Sequence, residues 1–396
     1  MNIRKLLVII LIFGSFACSQ QEKTNADSEE ILLSLEIVDS LDLEILGDPL
    51  ITAASNSGKS FLFYDFASEN ILITDDNGNI QSQFNKSEDT PDSYGFMMEA
   101  PGFVGEDRIA IAGMGGIFIY DLEGNMIKKI NHPESVGGAG FMAFPGKSME
   151  STELNGKIHL LSKSVRSRDT YPGEQKYYDT FRHLELVDIE DESSIEMIPF
   201  EENSRFLDGM GYLESDFWPA LEAKNKKLYI ALGGEPKLYR YSLSTKGATL
   251  DTLIQLSIPG FEEIEGSPRA EFSEGMVILN GGTASIQNIH IIGEKLLLNY
   301  YGGISPEDSE AISQLFEAGK MEEAEELYIS TDNKTSRGIL VFDLKSLAFL
   351  GNLSLPKEAD LESFASGGDY LWMQKNPSEE VEEDFLRIYK VKLAGK

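Results

Sequence analysis

The sequence predicts an all-β fold, a six-bladed β-propeller, because strand-like segments recur in a fixed order, at the spacing of propeller blades, with few helical patterns between them. The first two units each contain two apolar segments, an Asp-x-x-Gly turn and a further strand. These turns are Asp75–Gly78 and Asp121–Gly124. The same order recurs less regularly in four later units. An α/β fold would need amphipathic helices between the strands, and those patterns are missing.

The spacing of the six units fits single blades with insertions. Corresponding positions in their second strands lie 47, 49, 70, 68 and 75 residues apart. These positions are Phe61, Arg108, Lys157, Lys227, Lys295 and Tyr370. A four-stranded blade takes about 40–50 residues, so the longer spacings indicate blades that carry insertions. Seven blades remain an alternative. A β-sandwich agrees less well with strands that recur in fours.

The two ends of the chain are expected to share one blade. The sixth unit ends one strand short, and Ile31–Val38 provides an apolar strand that belongs to no other unit. An open ring would expose unpaired backbone at its edges. We therefore predict that the N-terminal strand completes the last blade and that residues 31–396 form a single domain.

The N-terminal segment has the pattern of an export signal. Arg4 and Lys5 precede the apolar run Leu6–Phe13, which is too short to span a membrane, and small residues follow it. Cys18, the only cysteine, comes next. This arrangement resembles a bacterial lipobox, in which the cysteine is acylated and becomes the mature N-terminus. An ordinary signal peptide that happens to contain a cysteine is the alternative.

The lipobox resemblance implies three further features. Residues 1–17 would be a signal peptide, and residues 18–30 a lipidated flexible tether. The residue after the cysteine is Ser19 and not aspartate, which resembles the pattern of lipoproteins sent to the outer membrane. The resemblance thus implies a membrane-anchored protein of the cell envelope, facing the periplasm or the exterior.

Composition excludes several classes of function. The formal net charge is −32, which argues against nucleic acid as a partner, because phosphate binding depends on Lys and Arg. A hydrophobic content of 41% argues against a disordered chain. The single cysteine excludes an internal disulfide and a Cys-based zinc cluster.

A family resemblance follows from the repeat. The order of basic residue, apolar strand, short loop, apolar strand, Asp-x-x-Gly turn and strand, seen from Arg108 to Ile130, is similar to six-bladed propellers of the TolB and NHL kind. With the lipobox, the whole chain resembles propeller lipoproteins of Bacteroidota-type bacteria, of the domain of unknown function 4221 kind. That group has no established catalytic motif to transfer. The resemblance therefore implies a fold and a location, without a reaction.

The predicted connections are asymmetric. With the strands of each blade named a to d from the centre outward, the a–b and c–d connections are short. All long segments fall in b–c or d–a connections, which emerge on the same face: 85–101, 131–149, 162–182, 201–216, 259–285 and 302–337. Long loops on one face of a rigid scaffold favour a binding site there, although loops also lengthen by drift.

One long connection predicts a helical insertion in the fifth blade, at about 305–329. Ser305 has the character of an N-cap, Pro306 suits the first helical position, and Gly319 separates two helical patterns. The hairpin could be a lid, a docking element for a partner, or a cover over exposed core.

Ten residues are candidate ligand contacts. The densest basic and aromatic patch contains Arg166, Arg168, Tyr171, Tyr177, Tyr178 and Arg182. Arginine forks beside aromatic planes suit a carboxylate, phosphate or sugar, but the same arginines could neutralise nearby acids. Large aromatic residues are expected at strand ends near the long loops, either stacking on a ligand or packing in the core: Trp218, Tyr300, Tyr301 and Trp372.

No catalytic residue, metal site or cofactor is predicted. His132, on the long-loop side, could act as an acid or base, and a solvated loop histidine is the alternative. The acidic turns lack the spacing of a calcium loop. The sequence therefore favours a non-enzymatic lipoprotein that binds an envelope protein, a glycan, a peptide or a small molecule on the long-loop side. The alternative is a propeller hydrolase or lyase with a metal at the channel mouth.

Overall fold

The computed structural model describes residues 33–395, apart from 46, 88–89, 135, 137–148, 276–281 and 377–383. The predicted signal peptide, Cys18 and the tether lie outside this part of the chain. The described chain begins with strand β1 (Leu33–Leu43). It continues through six four-stranded antiparallel sheets, which are the six blades of a β-propeller.

The blades follow one another along the chain. Blade I contains β2 (Leu50–Ala54), β3 (Ser60–Asp65), β4 (Asn70–Asp75) and β5 (Ile80–Phe84). Blade II contains β6 (Met97–Val104), β7 (Arg108–Gly113), β8 (Gly116–Asp121) and β9 (Met126–Ile130). Blade III contains β10 (Glu150–Leu154), β11 (Lys157–Lys163), β12 (Leu184–Asp188) and β13 (Ser193–Met197). Blade IV contains β14 (Pro219–Lys224), β15 (Lys227–Leu232), β16 (Lys237–Ser244) and β17 (Gly247–Gln255).

The last two blades complete the ring. Blade V contains β18 (Ser285–Ile292), β19 (Lys295–Tyr301), β20 (Arg337–Asp343) and β21 (Phe349–Leu353). Blade VI contains β22 (Ala359–Gly367), β23 (Tyr370–Lys375), β24 (Leu386–Gly395) and, as its outermost strand, β1. The prediction of six blades is confirmed.

The N-terminal strand closes the ring as predicted. β1 pairs antiparallel with β24 from Leu33 opposite Gly395 to Leu43 opposite Leu386, with one irregularity near Ile37. Because the ring is closed, each blade has a neighbouring blade on both sides, and both of its faces are covered.

The hydrophobic core lies between the blades. Six apolar clusters of the described residues each occupy the interface between two consecutive blades. A seventh, smaller cluster lies in blade V, where Tyr301 and Ile304 meet Ile312 of the helical insertion. The cluster that joins blade VI to blade I contains Leu43 from β1 and Phe61 from β3. Burial of both faces of a blade explains why the middle strands are continuous apolar runs, such as Phe61–Tyr64.

Three α-helices interrupt the strands in the described ranges. α1 (Gln175–Thr180) lies between β11 and β12, and the pair α2 (Pro306–Glu317) and α3 (Met321–Asp332) lies between β19 and β20 in blade V. Ser305 caps α2, since its hydroxyl accepts a 3.1 Å hydrogen bond from the Asp308 backbone N–H. No helix in the described part of the chain combines the length and apolar character needed to cross a membrane.

Candidate functional site

The two faces of the propeller differ in their connections. Between the described strands, every connection of ten or more residues emerges on one face, which we call the long-loop face: 85–96, 131–149, 164–183, 198–218, 256–284, 302–336 and 376–385. On the other side, the short-turn face, the a–b and c–d connections contain at most five residues. The asymmetry expected from the sequence is therefore present.

Arg166, from the predicted basic patch, is held by an acidic partner on the same face. Its Nε and Nη2 donate hydrogen bonds to Glu185 Oε1 at 3.0 Å and Oε2 at 3.1 Å, and Nη2 also donates to Ser194 Oγ at 2.9 Å. Burial alone would raise the pKa of Glu185, but the hydrogen bonds from Arg166 and Ser194 outweigh it and lower that pKa. The fork of Arg166 is thus engaged within the loop.

The other two arginines of the patch are also bound within the chain. Arg168 contacts Glu196 and donates to the Arg166 carbonyl at 2.9 Å, with its guanidinium 5.0 Å from the centre of the Phe181 ring. Arg182 donates to the carbonyl oxygens of Asp179 and Phe181. Arg166 and Arg168 thus pair with neighbouring acids, and Arg182 fastens the loop through backbone carbonyls.

The tyrosines of the patch divide between core and surface. Tyr177 and Tyr178 are buried in α1, where Tyr177 donates to Glu214 Oε1 at 2.9 Å and Tyr178 accepts the Tyr212 backbone N–H at 2.9 Å. Burial raises the pKa of Tyr178 to about 12. Tyr171 is half-buried. Tyr177 and Tyr178 therefore contribute mainly to packing.

The four large aromatic residues do not converge. Trp218 is half-buried just before β14, and Tyr300 and Tyr301 are buried at the end of β19, all toward the long-loop face. The Tyr301 hydroxyl donates to Asp332 Oδ1 at 3.0 Å, which fastens the base of the helical insertion. Trp372 instead lies near the short-turn face, because β23 starts there; its Nε1 donates to the Gly367 carbonyl at 3.1 Å.

The helical hairpin, which we define as Pro306–Asp332, has an apolar inner side and a mixed outer side. Ile312 and Ala324 are buried, and Ile312 packs in a small cluster with Tyr301 and Ile304. Four large apolar side chains are exposed: Phe316 (47%), Met321 (61%), Tyr328 (37%) and Ile329 (51%).

A central cavity of about 580 Å³ opens toward the short-turn face, a position that sequence reasoning did not predict. All six innermost strands line it near the ends where they enter the a–b turns. Buried Phe103 and Phe364 contribute apolar wall, and Glu150, Glu222 and Lys224 contribute charged groups. Its position depends on closure of the ring, which no local pattern encodes.

A buried carboxyl group between blades II and III was also missed. Glu99, in β6, accepts hydrogen bonds from Ser162 Oγ at 2.8 Å and from the Lys163 backbone N–H at 3.1 Å. Burial raises the pKa of Glu99 and lowers that of Lys163. The only sequence signal is an acidic residue inside an otherwise apolar innermost strand.

The histidines are dispersed. His132 lies 2.7 Å, through Nε2, from the Gly113 carbonyl, and His183 packs against Phe181 and Phe200. Burial lowers the pKa of His183 to about 3, so that imidazole is neutral at physiological pH. Within the described ranges, no three His, Cys, Asp or Glu side chains are grouped to hold a metal ion.

Comparisons with known proteins support the architecture. A crystal structure of a member of the DUF4221 family from Bacteroides vulgatus matches 93% of this chain and 100% of its own, with a TM-score of 0.60 and 12% sequence identity. At this identity the likeness shows the fold, in agreement with the predicted resemblance to propellers of the 4221 kind. The sequence matches no protein-family model and no curated protein.

Two further structures resemble the chain more distantly. The WD40 domain of Pan2 from Neurospora crassa matches 86% of this chain and 79% of its own, with a TM-score of 0.44 and 8% identity. A luciferin-regenerating enzyme matches 91% of this chain and 95% of its own, with a TM-score of 0.41 and 10% identity.

Proposed function

We propose that the protein is a cell-envelope lipoprotein that uses the long-loop face of its propeller to bind a protein partner. The observation that carries the proposal is that all long connections and the helical hairpin stand on one face. A rigid ring that presents long segments on a single side is suited to recognition, because the ring limits the entropy lost when the loops bind. The compact ion-pair network of Arg166 and Arg168 supports this by ordering one of these loops.

In-cell photo-crosslinking tests which face is used. A photoreactive residue placed at exposed positions Glu202, Glu271 or Ser313 reports on the long-loop face, and one at Lys59 or Asn225 reports on the short-turn face. We expect the long-loop positions to share a crosslinked product that the short-turn positions do not give. Products confined to the short-turn positions would contradict the proposal and would favour the central cavity as the binding site.

The lipid anchor has a separate test at Cys18. We propose that acylation of this thiol holds the propeller at the membrane, because a surface this acidic would be repelled by anionic lipid headgroups. Cys18→Ser should move the protein from the membrane fraction to the soluble fraction and abolish labelling by a fatty-acid analogue. Ser19→Ala is the matched control and should leave both readouts unchanged. Membrane retention of an unlabelled Cys18→Ser protein would contradict the anchor.

A further inference from the structure

The outer side of the helical hairpin exposes several large apolar side chains. Phe316 and Met321 flank the turn at Gly319 and expose about half or more of their surface. On α3, Met321 and Tyr328 lie two helical turns apart and therefore on the same side, with exposed Ile329 next to Tyr328. Several large apolar side chains are thus presented within one small element, as at protein interfaces.

The same element is strongly acidic. Between Pro306 and Asp332 the sequence has nine acidic residues and one basic residue, Lys320. Lys320 pairs with Glu323 at 2.8 Å, and exposed Glu322, Glu325 and Glu326 lie among the apolar residues of α3. Because acidic and apolar side chains alternate on this surface, a partner that covers it must match both kinds of side chain.

Charge selects among the possible occupants. A second copy of this hairpin, a nucleic acid or an anionic membrane would bring negative charge against negative charge. A segment with Lys or Arg beside apolar residues would complement both features at once. Because a helix repeats its faces every three to four residues, a basic amphipathic helix can place both kinds of side chain against α2 and α3.

We propose that the helical hairpin is the docking site for a basic amphipathic segment of the partner protein. This inference rests on the proposed use of the long-loop face and names the chemistry of the partner there. Lys or Arg of the partner would face Glu322, Glu325 and Glu326, and its apolar side chains would cover Phe316 and Met321. Exposed charges are screened by salt, so binding weakens as ionic strength rises.

A defined peptide probe tests the inference. The probe is an amphipathic helix of Leu and Lys, about five turns long, and its matched counterpart has Glu in place of Lys. Binding is measured by fluorescence anisotropy with the full chain in nanodiscs of zwitterionic lipid, with empty nanodiscs as the blank. We expect the Lys peptide to bind, the Glu peptide not to bind, and added salt to raise the Kd.

Two sets of hairpin variants locate the binding. Phe316→Ser with Met321→Ser and Ile329→Ser should raise the Kd about tenfold or more. Glu322→Gln with Glu325→Gln and Glu326→Gln should weaken binding and flatten its salt dependence. Phe349→Ser is the control, since Phe349 is 57% exposed on β21 of the same blade, away from the hairpin. All the substituted side chains are exposed, so the melting temperature should hold.

The outcomes separate this inference from the proposed function. Equal binding of the Lys and Glu peptides, no binding of either, or hairpin variants that bind like the unmodified chain would overturn the docking site. In that case crosslinks from Glu202 and Glu271 would still support a partner on the long-loop face. Loss of those crosslinks would instead remove the proposed function itself.

Discussion

We expect a chain that starts at residue 44 to fail to form the native ring, and a chain that starts at residue 33 to fold and melt like the full protein. The longer deletion removes β1, the outermost strand of blade VI, and leaves the edge of β24 unpaired. It also removes Leu43, which is fully buried between blades VI and I beside Phe61 and Trp372. Circular dichroism melts of the two chains, both with Cys18 absent, measure the difference.

A single substitution tests the same interface with a smaller loss of stability than the deletion. Leu43→Ala should lower the free energy of unfolding by about 2–5 kcal/mol, the range for truncating a buried leucine. Ile37→Ala is the control, because Ile37 is on the same strand but is 46% exposed.

Normal melting of the chain that starts at residue 44 would show that β1 is dispensable and would contradict closure by this strand.

Arg166→Ala should lower the free energy of unfolding by about 3–5 kcal/mol, the second large effect. The substitution leaves Glu185, only 4% exposed, without the bidentate partner that offsets the cost of burying its charge. Denaturant unfolding at pH 7 measures the effect. Arg182→Ala is the control, since this arginine donates to backbone carbonyls and should cost much less. Equal effects of the two substitutions would contradict the structural role of the pair.

The pH dependence of this variant follows from the direction of the Glu185 shift. The pKa of Glu185 is lower in the folded protein than in the unfolded chain, so the pair stabilises the fold above the unfolded value of 4.5. That contribution disappears as the pH falls through the folded pKa. The difference in the free energy of unfolding between Arg166→Ala and the unmodified protein should therefore be largest near neutral pH and become smaller in acid. A difference that grows in acid would contradict the lowered pKa.

Local chemistry made the blades predictable. Apolar strands follow one another with turns such as Asp121–Gly124 between them. Both depend on residues that are close in the sequence, so the sequence specifies them directly. The closing strand was predictable by counting, because Ile31–Val38 had no other blade to join. The hairpin was predictable from the cap at Ser305 and the break at Gly319.

The candidate site was less predictable, because its contacts join distant parts of the chain. Arg166 meets Glu185 and Ser194 across a loop and two strands, so a pattern centred on Arg166 could not show that its charge is neutralised. The central cavity requires six strand ends to meet, from Thr52 in blade I to Ser366 in blade VI. The exposure of Phe316 depends on the orientation in which α2 packs against the ring, and the apolar pattern of the helix alone does not fix that orientation.

The most direct test of the account is a covalent link between the two ends of the ring. Glu36 and Lys392 are paired residues of β1 and β24, and their side chains form a 3.5 Å ion pair on the surface. Glu36→Cys with Lys392→Cys, in a chain with Cys18→Ser, should form an intramolecular disulfide on mild oxidation, detected by mass spectrometry of the monomer. The control pair, Glu36→Cys with Lys246→Cys, joins blades VI and IV and should stay reduced. A first pair that stays reduced, or that links only separate chains, would contradict the closed ring and the two-faced propeller that depends on it.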